Sequence, residues 1–165
     1  MKRLLLLSIV FLFAATGFAS EAVERKSAQE AKALLDKAVA YYKANGKEKA
    51  LAAFNDPQGP FIDGDLFIFA LDENGVVVAH GDNQKLLGRT PNDFRDANEK
   101  NFIKELLQVA ENKGTGTVDY KIGHPSSLVV EEKSSFVEKV DDTILGCGYF
   151  TAYDWQIFPH PASLQ

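Results

Sequence analysis

From Glu21 to Ala44, small and apolar residues recur at helical spacing: Ala28, Ala31, Leu35, Ala38 and Tyr42 share one stripe, and Leu34 and Val39 widen it. The pattern predicts a long amphipathic helix. Asn45-Gly46 stops it, because glycine accepts the left-handed conformation that closes a helix end. Lys47 to Phe54 predicts a shorter helix with Ala50, Leu51 and Phe54 inward. The turn residues of Asn55-Asp-Pro-Gln-Gly-Pro60 then mark a change of period from helix to strand.

Leu66 to Leu71 is continuously apolar and aromatic, as a strand covered on both faces should be. Val76 to Ala79 is its β-branched partner across Asn74-Gly75, whose glycine supplies the positive φ of a tight reversal. This hairpin ends on His80, so a titratable ring stands at the rim of an apolar sheet, which makes the rim a candidate binding site. A polar connection from Gly81 to Asp93 follows, of a length that marks functional or mobile loops in compact domains.

Asp96 and Glu99 have the spacing of a capping box ahead of Phe102, Ile103, Leu106, Leu107, Val109 and Ala110, which predicts a helix to about Asn112. Gly114 and Gly116 end it. Thr117 to Ile122 alternates cleanly, with Val118, Tyr120 and Ile122 on one face. Gly123 to Ser127 breaks that strand, and Val129 to Val140 supplies another, with Lys133 and Val137 on one face and Ser134 and Phe136 on the other. Asp141-Asp142-Thr143 turns the chain into the strand Ile144 to Phe150. Helix, helix, strand, strand, helix and three strands predict an α+β domain: five antiparallel strands with helices gathered on one side or one end.

Composition changes this picture little. The chain of 165 residues, 45% hydrophobic and 25% charged, suits one globular domain. Met1-Lys2-Arg3 before the uncharged Leu4 to Phe18, with small Gly17 and Ala19, has the form of a cleavable signal peptide ending at residue 19. The apolar run is shorter than the roughly 20 residues that span a bilayer. The expected division is thus a signal peptide at 1–19, a domain at 20–154 and an irregular tail at 155–165, giving a periplasmic or secreted protein without a stable membrane span after cleavage. Removing Lys2 and Arg3 leaves 16 basic against 23 acidic residues, a net charge of −7, which speaks against a nucleic-acid partner. Cys147 stands alone in an apolar run, as a buried inert thiol does. Neither Gly-x-Ser-x-Gly, His-Glu-x-x-His nor Cys-x-x-Cys-His occurs, and Asp72-Glu-Asn-Gly75 lacks the alternating ligands of a calcium loop, so neither metal nor cofactor nor catalytic residue is expected.

The run Gly64 to His80, then Leu87-Gly88, Asp96-Ala-Asn98, Gly116-Thr-Val-Asp-Tyr120, Lys133-Ser-Ser-Phe-Val137 and Gly146-Cys-Gly-Tyr149, resembles the single Cache family of extracytoplasmic sensor domains over Ala28 to Thr151. The resemblance implies a PAS-like fold: a long N-terminal helix on a curved five-stranded antiparallel sheet, with a small-molecule pocket beside it. It also implies a small organic acid or similar metabolite as ligand, and a membrane sensor kinase or chemoreceptor as signalling partner. The chain looks like a free-standing secreted form of such a domain.

The residues allow a chemical reading of that pocket. His80 can donate a hydrogen bond as either a neutral or a cationic ring, although a strand-end histidine is more often structural. Lys133 is either a solvated edge charge or an ammonium that neutralises a carboxylate. Tyr120 and Tyr149 offer phenolic donors, and Phe67 and Phe69 offer walls, with plain core packing as the competing account. Together they describe a site for a small anionic metabolite, without catalysis. The alternatives are a small enzyme of the cone fold, like nuclear transport factor relatives, and a protein-interaction module lacking a small ligand. Strand topology separates the first of these.

Overall fold

The structure is a computed structural model that describes residues 25–123 and 129–151. The expected signal peptide and tail lie outside the described residues, as does most of the break at 123–127.

Helix α1 (Ala28–Asn45) starts at the first residue of its apolar stripe rather than at Glu21, because Ser27 and Glu30 cap each other's backbone in a capping box. Its stripe of Ala31, Leu34, Leu35, Ala38, Val39 and Tyr42 is buried, and Gly46 at φ 81° separates it from α2 (Lys47–Phe54). The strands are β1 (Ile62–Asp63), β2 (Leu66–Asp72), β3 (Val77–His80), β4 (Thr115–Gly123), β5 (Val130–Val140) and β6 (Thr143–Phe150). Helix α3 (Phe102–Lys113) follows β3. All pairings are antiparallel, and the main order is β3-β2-β6-β5-β4, with the short β1 on the same edge of β2 as β3.

The sheet is covered on both faces, so the helices do not gather on one side. Alternate residues of β2 explain why. Leu66, Ile68 and Ala70 pack with α1, α2 and Phe61 in one cluster, whereas Phe69 and Leu71 pack with α3 in another. The continuous apolar run of this strand therefore fills two cores.

Three carboxylates hold turns. Asp65 accepts the backbone N–H of Lys26 (3.0 Å), and Asp72 accepts those of Asn74 and Val76 at the hairpin tip. Gly75 is at φ 79°, and a Cβ there would stand 2.6 Å from Pro91 Cγ, so both backbone and space require glycine. Asp96 is not a helix cap. It is buried and accepts from the N–H groups of Asn98, Lys100 and Lys121 (2.8–3.1 Å), while Asn101 caps α3 by accepting from Lys104 N. Glu99 takes a φ of 61° inside that turn, so the apparent Asp-x-x-Glu box closes a loop instead.

Candidate ligand-binding site

The face of the sheet that meets α3 does not close completely. A cavity of about 80 Å³ remains, walled by Phe67, Phe69, Phe102, Leu106 and Tyr120, with His80 and Lys133 as its polar groups. Cross-strand partners share a face, and the register shows how separated residues meet there. Tyr120, Lys133 and Phe150 are consecutive partners from β4 to β6. Gly116, Val137, Gly146, Phe69 and His80 form a second such row from β4 to β3.

A bulge gives the second row its end. Ala70 pairs with Ala79, but Leu71 pairs with Val77, so β3 spends one residue more than β2. That extra residue turns both Val77 and His80 toward the cavity; in an unbroken ladder they would face opposite ways.

Lys133 is 5% exposed. Its stem leaves β5, and its Nζ lies 4.4 Å from the ring centre of Phe67 and 4.6 Å from that of Phe150. Among the described residues no carboxylate forms an ion pair with it. Burial lowers its pKa from 10.5 to about 8, against smaller raising effects of Cys147, Asp65 and Asp82.

His80 packs its ring against Phe67 at 4.6 Å. Its Nδ1 accepts the Asn83 N–H (3.0 Å) and its own N–H donates to Asn55 Oδ1. Burial depresses its pKa to about 4, with Lys133 also lowering it and Asp82 opposing. The ring is therefore neutral at pH 7, and with Nδ1 accepting, its proton belongs on Nε2. Tyr120 stacks on Phe102 (4.3 Å, 10° between planes) and shares a 2.8 Å hydrogen bond with the buried Ser135 hydroxyl. Burial raises the Tyr120 pKa to about 12, so it stays a phenol. When Ser135 donates to it, its own proton is available to a guest.

Five of the six residues singled out from the sequence thus line one cavity: His80, Lys133, Tyr120, Phe67 and Phe69. Tyr149 does not. Odd positions of β6 face α1, and Tyr149 packs there against Phe136 at 5.6 Å. The reason is parity: the even positions Gly146, Gly148 and Phe150 hold the cavity side. Sequence reasoning missed the roof. Leu86 and Phe94 close the cavity from the connection between β3 and α3, and an apolar residue inside an otherwise polar loop was the available signal.

That connection is fastened at both ends. Near its start Gly88 N–H donates to Val77 O (2.8 Å) and Val77 N–H to Arg89 O (3.0 Å), along the outer side of β3. Near its end Ala97 N–H donates to Lys121 O (2.8 Å), and Lys100 Nζ to Asp119 O (2.7 Å), both on β4. It is a strap from one outer strand to the other, across the cavity face. Among the described residues no cluster of His, Cys, Asp and Glu could hold a metal ion, and no helix is long and apolar enough to cross a membrane.

The family profile described as Single Cache domain 2 matches residues 20–156. The chain belongs to that family. Solved structures similar to this Cache domain include a periplasmic sensor domain of a chemotaxis protein, 25% identical, with a TM-score of 0.58 over 75% of this chain and 90% of that one. A methyl-accepting chemotaxis protein from Vibrio parahaemolyticus RIMD 2210633 is 20% identical, with a TM-score of 0.63 over 74% and 86%. A Cache chemosensory domain described for its carboxylic acid recognition is 22% identical, with a TM-score of 0.58 over 75% and 88%. The last two likenesses are of fold. No curated protein matches the chain in sequence. As a sensor domain with this fold, it has its cavity on the α3 face of a PAS-like sheet, and the cone-fold alternative falls away.

Proposed function

We propose that this Cache domain binds a short monocarboxylate in the cavity under the strap, as an exported sensor module without catalytic activity. The observation that carries the reading is Lys133: a buried ammonium that faces a cavity and has ring faces in place of a counter-ion. An unpaired charge in such a place is costly, and an anionic guest that pairs with it recovers that cost. One cation calls for one negative charge. His80 Nε2–H and the Tyr120 hydroxyl add neutral donors to the second oxygen, and the phenyl walls suit a short hydrocarbon tail.

Size narrows the class. Benzene occupies an engineered cavity of about 150 Å³, so 80 Å³ suits a guest of roughly three to five non-hydrogen atoms, such as acetate or propionate. The carboxylic acid recognition of a structurally similar Cache domain supports the same chemistry. A chemoreceptor or sensor kinase at the membrane is the partner this reading calls for, since the neighbours include chemotaxis sensors. The basic head and short apolar run of residues 1–19 support export.

A thermal-shift screen of acetate, propionate, pyruvate, succinate and short amines tests the reading. A cognate acid at about a hundred times its Kd stabilises by roughly 2.7 kcal/mol. A monocarboxylate response that is lost in Lys133→Ala and weakened in His80→Ala is expected. A response only to amines, or one unchanged in both variants, overturns it.

A further inference from the structure

We infer that Gly148 is a positioning residue for the ligand-binding cation: its bare Cα forms the floor over which the Lys133 stem crosses β6 to bring the ammonium to the cavity. The inference rests on the carboxylate reading of the site, and it adds a residue that touches no ligand.

The geometry is diagonal. Lys133 on β5 is paired with Phe150, whereas Gly148 is paired with Ser135, one step along the same face. Instead of standing over its own partner, the lysine leans across the neighbouring position to reach Phe67 on β2, the strand beyond β6. A Cβ at position 148 would lie 2.5 Å from Lys133 Cε and 3.4 Å from Cδ, and closer still to the Ser135 hydroxyl. Carbon atoms in contact stand about 3.5–4.0 Å apart, so the stem and a methyl group cannot share this place.

Gly146 makes the contrast that separates positioning from ordinary tight packing. It lies on the same face, two residues earlier, and a Cβ there would stand 2.6 and 2.7 Å from two ring carbons of Phe69. Neither glycine has a positive φ, so alanine is acceptable to both backbones. What differs is the obstacle. The Phe69 ring is a rigid wall that is 8% exposed, and displacing it disturbs the core. At 148 the obstacles are the Ser135 hydroxyl, a single atom that can turn about χ1, and the far end of a lysine, which is flexible and prefers water, so a methyl there evicts the ammonium while leaving the sheet in place. One glycine guards the fold and the other guards the location of a charge.

The test compares Gly148→Ala with Gly146→Ala in the full chain, with propionate as the probe. Lysine labelled with ¹³C at Cε reports the Lys133 amine without any ligand. In Gly148→Ala the melting temperature stays near that of the wild type. The Lys133 titration moves from about 8 toward the ordinary 10.5, and propionate affinity falls by about tenfold or more. Gly146→Ala lowers the melting temperature markedly. A Gly148→Ala protein that keeps both the low titration and the affinity overturns the inference. Should that variant fold poorly, Gly148→Ala combined with Lys133→Ala recovers stability, because the methyl then takes the place of the stem; strictly additive losses overturn the inference. Should the wild type bind none of the acids while the Gly148→Ala titration still moves, the carboxylate reading fails and the positioning role stands.

Discussion

Phe69 and His80 are paired across the outer edge of the sheet, so a core ring and a titratable ring face the same cavity from neighbouring strands. The pairing makes His80 part of the wall. Its backbone N–H and Nδ1 are committed to Asn55 and Asn83, so the ring is fixed and only its Nε2 edge remains for a guest. The cavity therefore offers a fixed neutral donor together with a buried cation.

The apo protein carries Lys133 at a cost. Because its folded pKa of about 8 lies below the unfolded 10.5, the unfolded chain holds the proton more tightly, and stability is lost as pH falls from 10.5 to 8. Lys133→Met keeps the stem and drops the charge. In urea denaturation at pH 7 this variant is more stable than the wild type by about 2 kcal/mol. Calorimetry shows its carboxylate binding abolished. A less stable variant contradicts the burial account of the lysine.

Binding of propionate depends on pH through the same amine. The acid stays ionised throughout, so affinity is flat between pH 6 and 7.5 and then declines toward a limit of about tenfold per unit above pH 8 as free Lys133 loses its proton. Binding above pH 8 takes up a proton, which calorimetry in buffers of different ionisation enthalpy measures directly. In Lys133→Arg the alkaline decline disappears.

Acid destabilises the fold through His80. Its folded pKa of about 4 lies below the unfolded 6.5, so the unfolded chain takes the proton first, and the stability present above pH 6.5 is progressively lost down to pH 4. The loss amounts to about 2–3 kcal/mol. His80→Gln removes this contribution, and its stability curve between pH 6.5 and 4 is flatter than that of the wild type. Equal slopes would place His80 in water.

Leu106 lines the cavity from α3 and is fully buried. Leu106→Ala costs about 2–4 kcal/mol in unfolding free energy. It also shifts preference from acetate and propionate toward butyrate and valerate, since each buried methylene is worth about 0.8 kcal/mol. A ranking of acids that stays fixed in this variant would place the hydrocarbon tail elsewhere.

Asp96 knots the end of the strap by accepting three backbone N–H groups. Asp96→Ala leaves those donors without their acceptor and lowers stability by about 2–3 kcal/mol. Hydrogen exchange rises first at Asn98, Lys100 and Lys121.

Most of the fold was legible because periodicity reports which faces are covered. The stripe of α1, the alternation of β4 and the Asn74-Gly75 turn each predicted the element that forms. Reading β2 as covered on both faces was right, yet the sequence did not say that the second cover is α3, because one apolar run serves two cores. The lining of the cavity was legible where parity within a strand suffices, as for Lys133 and Tyr120. Parity did not place Tyr149, which packs on the α1 side, because the glycines of β6 blur which positions face the cavity. It also gave no hint of the β2–β3 bulge, since an extra residue in a ladder depends on pairing rather than on either strand alone. Asp96 and Glu99 misled for another reason: a carboxylate that binds backbone N–H groups looks alike at a helix start and in a closed loop.

The strap bonded to β3 and β4 has a further effect, on colloidal behaviour. The two outermost strands of any open sheet invite foreign strands to add on, which is how β-rich proteins aggregate. Here one segment occupies backbone positions along both borders while it also roofs the cavity. Losing those bonds would bare hydrogen-bonding groups at both margins at once, so a strap that stays fastened also keeps neighbouring molecules from stacking edge to edge.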